Sequence, residues 1–354
     1  MAGLFPLIWR PLHKSAPVPG TTPAPAPSFR AITIMLTEFC NLDCWMCDFA
    51  TSKGLKESID WTPQRYIEFL THPFFSQLGS IGFTGGEPFA YAGIQTLYAE
   101  MQARFPSMFV SFSSNATLLK PMSETFDLTR DWARTKLFSS IDGVETHDIQ
   151  RGKVGAFAKS MAHLSKLRER FPALGIDIKF TLTPVNHHEL KAAFLYCTER
   201  GFNFTAKMVE NNPYYTAVLS SANRDAEFTL DAAQLRLVRE QLEWILSLPS
   251  ARLERANVGE LRELLDSLDP VWRRTGKCST PTQSAFLDAR LNFSCCKEYP
   301  PVLNIGRTSL DELPHSAGYR DVIAFESANA QACTRCTSQL KRRRTPAAWA
   351  RWLG

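Results

Sequence analysis

Short apolar runs alternate with amphipathic segments through most of the chain after residue 28. The runs are rich in β-branched residues, as buried strands are, and the segments between them repeat apolar positions every three or four residues, as helices do. Strands are predicted at 31–36, 80–84, 108–112, 136–141, 176–182 and 202–209. The main helices between them are predicted at 63–70, 93–103, 156–169 and 188–200. Such alternation indicates right-handed βαβ units, and thus an α/β fold with a partial (β/α)6 barrel.

The pattern changes beyond the sixth strand. Two helices are predicted at 230–248 and 258–268, followed by a hairpin at 284–296 whose turn lies near 288–290, and then by an irregular stretch as far as residue 336. The expected organisation is a Pro/Ala-rich arm (1–28), the barrel (29–228), a helical linker (229–269), a small α+β domain (270–340) and a basic tail (341–354).

Composition is that of an ordinary globular protein. The 354 residues are 44% hydrophobic and 21% charged, and 40 basic against 35 acidic side chains give a formal net charge of +5. Much of the excess lies in one basic run at 341–344, which is more typical of a solvated tail than of a nucleic-acid site. No apolar stretch reaches the roughly 18 residues that a membrane span needs. We therefore expect a cytoplasmic protein, without a membrane or nucleic-acid partner.

The nine cysteines are clustered, which in a reducing compartment favours metal ligation over disulfides. Cys40, Cys44 and Cys47 have the spacing C-x3-C-x2-C directly after the first predicted strand. A [4Fe–4S] cluster normally takes four thiolates, so three would leave one iron open to a small chelating ligand. Structural zinc is the alternative, but it needs four protein ligands, and no further cysteine or histidine is close in sequence.

This cysteine loop resembles the signature of the radical S-adenosylmethionine (SAM) superfamily. The resemblance implies that the open iron binds the amino and carboxylate groups of SAM, and that reductive cleavage of SAM gives a 5′-deoxyadenosyl radical. That radical abstracts hydrogen from the substrate. Many members have an aromatic residue just before the third cysteine, whereas this chain has Met46 there, with Trp45 one position earlier. The Met46 thioether could still pack on adenine.

Further motifs follow the later strands. Gly85, Gly86 and Glu87 end the second strand and resemble the segment where the family's backbone approaches the methionyl amino group of SAM, which a side chain would obstruct. Asn115 follows the third strand; it resembles a SAM-site residue, although it could simply cap a turn. By the same resemblance Ser140 should hydrogen-bond SAM, and Arg151 should pair with its carboxylate. An ordinary surface salt bridge is the alternative for Arg151.

Polar and aromatic residues lie at the end of the sixth predicted strand. Inward-facing positions near the carboxyl ends of barrel strands line the ligand cavity. Lys207 and Glu210 are therefore predicted substrate-site residues, the alternative being that they belong to loop surface.

A second cysteine set comprises Cys278, Cys296, Cys333 and Cys336. By spacing alone these residues fit an auxiliary [4Fe–4S] cluster or a zinc ribbon equally well. The segment resembles the SPASM/twitch extension of radical SAM enzymes, in its single-cluster form, which favours the cluster. Cys295 competes with Cys296 for one ligand position, because adjacent residues of a strand point to opposite faces. Cys197, on an apolar helix, is predicted to be a core residue.

A fully ligated auxiliary cluster would accept or relay an electron from a substrate radical, so the resemblance implies a net oxidation. A small-metabolite dehydrogenase is favoured slightly, because only a short proline-rich segment precedes the first strand and peptide-modifying relatives often carry a leader-binding domain there. A peptide- or protein-modifying maturase is the alternative, and a non-catalytic metal-binding regulator is a second. The expected reductant is a flavodoxin- or ferredoxin-type protein.

Overall fold

A computed structural model describes residues 24, 26–47, 49, 61–209, 228–269, 280–296 and 300–327, with side chains to 324. Its strands are Ala31–Met35 (β1), Ser80–Thr84 (β2), Phe109–Ser114 (β3), Thr135–Ser140 (β4), Gly175–Leu182 (β5), Asn203–Met208 (β6), Ser284–Leu287 (β7), Asn292–Ser294 (β8) and Leu303–Asn304 (β9). They form one sheet in the order β6-β5-β4-β3-β2-β1-β7-β8-β9. All pairs from β6 to β7 are parallel.

Of the ten α-helices in the described part of the chain, nine lie between consecutive parallel strands, and the tenth follows β9. They are Pro63–Leu70 (α1), Ile94–Arg104 (α2), Leu119–Phe126 (α3), His147–Arg151 (α4), Ala156–Arg170 (α5), Leu190–Glu199 (α6), Ala232–Leu246 (α7), Val258–Ser267 (α8), Thr280–Gln283 (α9) and Ala317–Ser327 (α10). The start of α1 is fixed locally: Pro63 occupies the first turn, and the Thr62 side chain accepts a hydrogen bond from the backbone of Arg65. No helix among the described residues is long and apolar enough to span a bilayer.

The fold class predicted from the sequence is confirmed. All six barrel strands lie where the apolar runs predicted them, to within two residues at each end, and strand pairing follows chain order from β1 to β6. The short helices α3 and α4 were not predicted. Helix α4 has only five residues, too few for a helical repeat to stand out. In α3 the repeat is incomplete, because the buried positions include the polar Thr125 and the segment contains Pro121.

The two faces of the sheet differ in chemistry. One face presents the apolar members of each strand, such as Ile34, Phe83 and Phe112, which are completely buried in the main core with residues of the surrounding helices. The alternate positions are small or polar and only partly buried, among them Thr33, Gly82, Ser111, Ser140 and Lys179. Alternation along a strand places these residues on the other face, which is the interior side of the partial barrel.

The predicted hairpin at 284–296 exists, since β7 and β8 pair antiparallel. Its first strand also pairs parallel with β1, matching Ala31 to Ser284 and Ile34 to Leu287. The hairpin therefore extends the barrel sheet at its β1 edge. Sequence periodicity could not show this, because a strand's pattern does not name its partner.

The stretch after the hairpin, expected to be irregular, is more regular than predicted. It contains β9, a 3-10 helix at Leu310–His315 and α10. Each of these two helices buries a pair of residues three positions apart in the core. The pairs are Leu310 with Leu313 and Tyr319 with Val322. A single pair at helical spacing is too short a repeat to be recognised as a helix in the sequence.

Candidate active site

The cysteine loop begins where β1 ends and lies against the loop that follows β2. The backbone N–H of Gly86 donates to the carbonyl of Thr37 at 2.8 Å, and that of Glu87 donates to the carbonyl of Phe39 at 2.8 Å. The β1–β2 ladder thus continues beyond both strands, and its last hydrogen bond reaches the residue before Cys40.

Gly85 and Gly86 are required for this close approach. A Cβ on Gly85 would lie 2.7 Å from the carbonyl oxygen of Thr37, and one on Gly86 would lie 2.3 Å from that of Phe39. Neither glycine has a positive φ, so the need is steric and does not arise from the backbone conformation. The atoms that exclude a side chain here belong to the cysteine loop, in addition to the bound SAM that the family resemblance implies.

Glu87 is completely buried and joins two loops. Its carboxylate accepts hydrogen bonds from the Ser114 hydroxyl at 2.8 Å and from the backbone N–H groups of Asn115 at 2.9 Å and Phe89 at 3.2 Å. Burial raises the pKa of Glu87 to about 7, although these hydrogen bonds act in the opposite direction. The residue therefore fixes the loop after β3 relative to the loop after β2.

Asn115 is bound to the cysteine loop. Its amide nitrogen donates to the side-chain oxygen of Asn41 at 2.9 Å and lies 3.9 Å from the Cys40 sulfur. Its oxygen accepts from the backbone N–H and the hydroxyl of Thr117, and that hydroxyl also accepts from Asn41. Both ends of the Asn115 side chain are thus used in holding the loop, and a contact with SAM stays a prediction.

Helix α4 and the residue after it clamp the other side of the loop. The backbone N–H groups of Asp43 and Trp45 donate to the carbonyls of Arg151 and Gln150 at 3.1 and 3.3 Å. The Arg151 guanidinium pairs with the buried Asp142 carboxylate and places Nη1 3.6 Å from the Cys44 sulfur. Arg151 is therefore part of a buried ion pair, unlike the surface salt bridge that was the alternative. A contact with the SAM carboxylate stays a prediction.

Gly152 is a site residue that sequence reasoning missed. It ends α4 with a φ of +62°, and a Cβ there would lie 2.0 Å from the carbonyl oxygen of Asp43. Only glycine meets both demands, a left-handed backbone and direct contact with the cysteine loop. A glycine directly after the arginine of the motif was the available signal.

Trp45 points into a polar network. Its indole N–H donates to the Gln150 side-chain oxygen at 2.7 Å, and the Thr183 hydroxyl donates to the same oxygen at 2.9 Å. The Trp45 ring packs on Phe228, with ring centroids 5.5 Å apart. Trp45 thereby ties the cysteine loop to the end of β5, which leaves the half-buried Met46 as the predicted adenine contact.

Two predicted residues share the interior face of the sheet. Ser140 on β4 is paired with Lys179 on β5, and Thr181 on β5 is paired with Lys207 on β6. Paired residues project to the same face, and these positions all lie at the carboxyl ends of their strands. Asp142, just beyond β4, accepts a hydrogen bond from the Thr181 N–H at 2.8 Å, so this polar face adjoins the Arg151 ion pair. Lys179 had not been predicted; its ammonium lies 3.6 Å above the Phe138 ring.

The surroundings of the cysteines fit a thiolate-bound cluster. Cys40, Cys44 and Cys47 belong to one packed group with Leu42 and Met46. N–H donors face the sulfurs of Cys40 and Cys44, as described above, and such contacts are what tune a cluster held by thiolates. Burial raises the pKa of the Cys40 thiol to about 11, so metal binding there must displace a proton. Within the described ranges, no three His, Cys, Asp or Glu side chains converge as a single-ion site would require.

The second cysteine set is only partly visible. Glu210, Cys278, Cys333 and Cys336 lie outside the described residues. Cys295 is almost fully buried, which raises its thiol pKa well above the ordinary value, whereas Cys296 is half-buried. That difference is what opposite faces of a strand end produce, and the assignment of Cys296 as the ligand stays a prediction. Cys197 is fully buried on α6, in the core.

The protein has a parallel α/β sheet, with a three-cysteine loop and a glycine pair at the carboxyl ends of its first two strands. These features are the ones that resemble the radical SAM superfamily. Residues 34–197 match the radical SAM superfamily model. This segment is therefore a radical SAM domain. The superfamily's cofactors are a [4Fe–4S] cluster and SAM.

Curated relatives match the same part of the chain. The sporulation killing factor maturation protein SkfB of Bacillus subtilis is 26% identical over 196 residues, which is 55% of this chain and 44% of that protein. The AdoMet-dependent heme synthase of Methanosarcina barkeri is 30% identical over 183 residues, 49% of this chain and 48% of that protein. This chain thus matches these relatives over about half of their length.

Solved structures share the fold over a longer span. SuiB of Streptococcus suis bound to S-adenosylmethionine aligns with a TM-score of 0.61 and 15% identity, covering 84% of this chain and 68% of that one. The structure of anSMEcpe with bound AdoMet aligns with a TM-score of 0.59 and 15% identity, covering 88% of this chain and 86% of that one. At such low identity the likeness concerns the fold.

Proposed function

We propose that this protein is an enzyme whose bound [4Fe–4S] cluster and SAM supply a 5′-deoxyadenosyl radical, which abstracts hydrogen from a substrate in a net oxidation assisted by an auxiliary [4Fe–4S] cluster. The observation that carries the proposal is the cysteine loop. It is fixed by the glycine pair after β2, by Asn115 after β3 and by α4, and N–H donors face two of its three sulfurs.

In this proposal each wall of the loop has its own role. Cys40, Cys44 and Cys47 hold the cluster, and Arg151 and Asn115 bind the loop and face the sulfurs. The narrow approach at the glycine pair leaves the β2 loop backbone next to Cys40. On the interior face of the sheet, Ser140 would hydrogen-bond SAM and Lys207 would contact the substrate.

The experiment is anaerobic reconstitution followed by reduction with dithionite and measurement of 5′-deoxyadenosine. The loaded protein should form it from SAM, and a Cys40→Ala, Cys44→Ala, Cys47→Ala variant should not. Cys197→Ala is the matched control, because Cys197 lies in the core away from the loop. Failure of the loaded, reduced wild-type protein to cleave SAM would refute the proposal.

Iron analysis tests the auxiliary cluster. At four irons per cluster we expect about eight irons per chain, whereas about four irons with one zinc would indicate a zinc ribbon. The Cys296→Ala variant should lose one cluster and Cys295→Ala should retain both. The reverse result would assign the ligand to Cys295.

A small metabolite is the first candidate for the substrate, and a peptide or protein is the second. The second candidate is favoured by the similarity to SkfB, a relative named as a maturation protein, over 196 residues. The SuiB fold has also been solved with its precursor peptide. The small-metabolite candidate is supported by the sequence argument and by the similarity to an AdoMet-dependent heme synthase over 183 residues. The relatives therefore support both candidates.

The two candidates can be separated by size. Ultrafiltration of an extract of the source organism gives a retained fraction and a filtrate, each of which is added to the loaded enzyme. Stimulation of 5′-deoxyadenosine formation by the retained fraction alone, lost on protease treatment, would indicate a peptide or protein. Stimulation by the filtrate, insensitive to protease, would indicate a small metabolite.

A further inference from the structure

A partly buried ion pair joins the cysteine loop to the hairpin that extends the sheet beyond β1. Arg290, in the turn between β7 and β8, directs Nε to Oε1 of Glu38 at 2.5 Å and Nη2 to Oε2 at 3.2 Å. Both oxygens of the carboxylate are engaged, and Glu38 is only 7% exposed. Glu38 lies two residues before Cys40. The pair is therefore a bidentate contact at the start of the cysteine loop.

The turn that carries Arg290 is held rigidly. The carboxylate of Asp288 accepts hydrogen bonds from the backbone N–H groups of Arg290 and Asn292 at 2.8 Å each, and from the Asn292 amide at 2.8 Å. The Asn304 amide donates to the carbonyl of Arg290 at 2.9 Å. Leu291 adopts a φ of +64° and is buried, which completes the turn. Arg290 thus extends from a fixed base.

The other partner is equally constrained. The residues on either side of Glu38 are Thr37 and Phe39, whose carbonyls accept the hydrogen bonds from Gly86 and Glu87. The carbonyl of Glu38 itself would lie 2.6 Å from a Cβ on Gly86. Glu38 therefore contacts Gly86 through its backbone carbonyl and the Arg290 guanidinium through its carboxylate.

We propose that Arg290 is a positioning residue for SAM binding: through Glu38 it sets the distance between the cysteine loop and the Gly85–Gly86 backbone. This inference rests on the proposed function, because it concerns the same site. It adds that a residue 252 positions from Glu38, outside the segment that matches the superfamily model, controls the geometry of that site.

Two variants separate a positioning role from general stabilisation. Arg290→Lys keeps the charge but loses the planar fork, and Arg290→Gln removes the charge. In the reconstituted protein, SAM affinity measured by calorimetry should fall about tenfold for Arg290→Gln, since hydrogen bonds to charged groups contribute about that much. It should fall less for Arg290→Lys. Both variants should keep the wild-type iron content. In the presence of SAM, the electron paramagnetic resonance spectrum of their reduced cluster should differ from that of the wild-type protein.

The controls use the same chain. Arg307→Gln removes an exposed arginine from the same C-terminal segment and should leave SAM affinity and the spectrum unchanged. Exchanging the partners, Glu38→Arg with Arg290→Glu, should restore part of the affinity lost by either single variant. Wild-type SAM affinity and an unchanged spectrum in folded, iron-loaded Arg290→Gln and Arg290→Lys proteins would refute the inference, as would a complete failure of the exchange to recover any affinity.

Binding and spectroscopy distinguish this failure from failure of the proposed function. If the wild-type protein binds SAM but does not cleave it, the proposed reaction fails, while the affinity series can still support the role of Arg290. If cleavage occurs normally and the variants bind SAM as the wild type does, only the positioning role fails.

Discussion

Replacing Gly86 by alanine tests the contact on which the site depends most directly. The added Cβ would lie 2.3 Å from the carbonyl oxygen of Phe39, 2.5 Å from its carbonyl carbon and 2.6 Å from the carbonyl oxygen of Glu38. All three are backbone atoms, so no side chain can rotate away. The two loops must separate by roughly 1 Å to reach the ordinary spacing between non-bonded atoms.

The energetic cost follows from that separation. Overpacking of a buried contact costs about 1–3 kcal/mol. The hydrogen bonds from Gly86 and Glu87 to the cysteine loop are 2.8 Å long and would weaken as the loops part. Each contributes about 0.5–1.5 kcal/mol. We therefore expect Gly86→Ala to lower the free energy of unfolding by roughly 2–6 kcal/mol and to weaken SAM binding at least tenfold.

The assay is urea denaturation of the metal-free protein, followed by calorimetric SAM titration of the reconstituted protein. Gly79→Ala is the matched control, because a Cβ there would meet nothing closer than the Arg30 carbonyl oxygen at 3.9 Å. Stability and SAM affinity of Gly86→Ala equal to those of Gly79→Ala would refute the steric reasoning.

Three further predictions concern the walls of the loop. Gly152→Ala should destabilise the metal-free protein in thermal denaturation much more than Gly155→Ala, because both have a positive φ but only the first places a Cβ against the loop, 2.0 Å from Asp43; equal effects would contradict this. Arg151→Met should lower the free energy of unfolding measured in urea by roughly 3–5 kcal/mol, since it leaves the buried Asp142 without its cation. Adding Asp142→Asn should recover part of this loss, and no recovery would count against the ion pair. Because burial raises the pKa of Glu87 from 4.5 to about 7, the stability linked to its protonated form is complete below pH 4.5 and is lost as the pH rises to about 7. Glu87→Gln should remove that loss, worth roughly 3 kcal/mol, from the pH profile of metal-free unfolding, and an unchanged profile would show that Glu87 does not titrate there.

Much of the barrel could be read from local patterns. Six strands and their intervening helices follow from apolar runs and helical repeats, which depend only on neighbours in sequence. The cysteine loop and the glycine pair were found in the same way, since each motif is contiguous. Parallel βαβ connectivity then implies that both end at the same edge of the sheet, where the structure has them in contact.

Other features require the folded chain. That β7 joins β1, that Arg290 contacts Glu38, and that Gly152 packs on Asp43 are facts about residues distant in sequence. Periodicity assigns a side chain to a face, but it does not specify which element covers that face. The predicted roles of Asn115 and Arg151 illustrate this, because the structure has both bound to the cysteine loop itself.

The sequence by itself determined the order of the elements and the chemistry at their ends: three cysteines after the first strand and two glycines after the second. Only the tertiary structure decided how that chemistry is held, through a clamp of α4, Asn115 and the hairpin turn around one loop. The physical reason is that local pattern reflects backbone geometry and burial, which act over a few residues. The hydrogen bonds and ion pairs that fix the cysteine loop instead form between segments up to 252 residues apart.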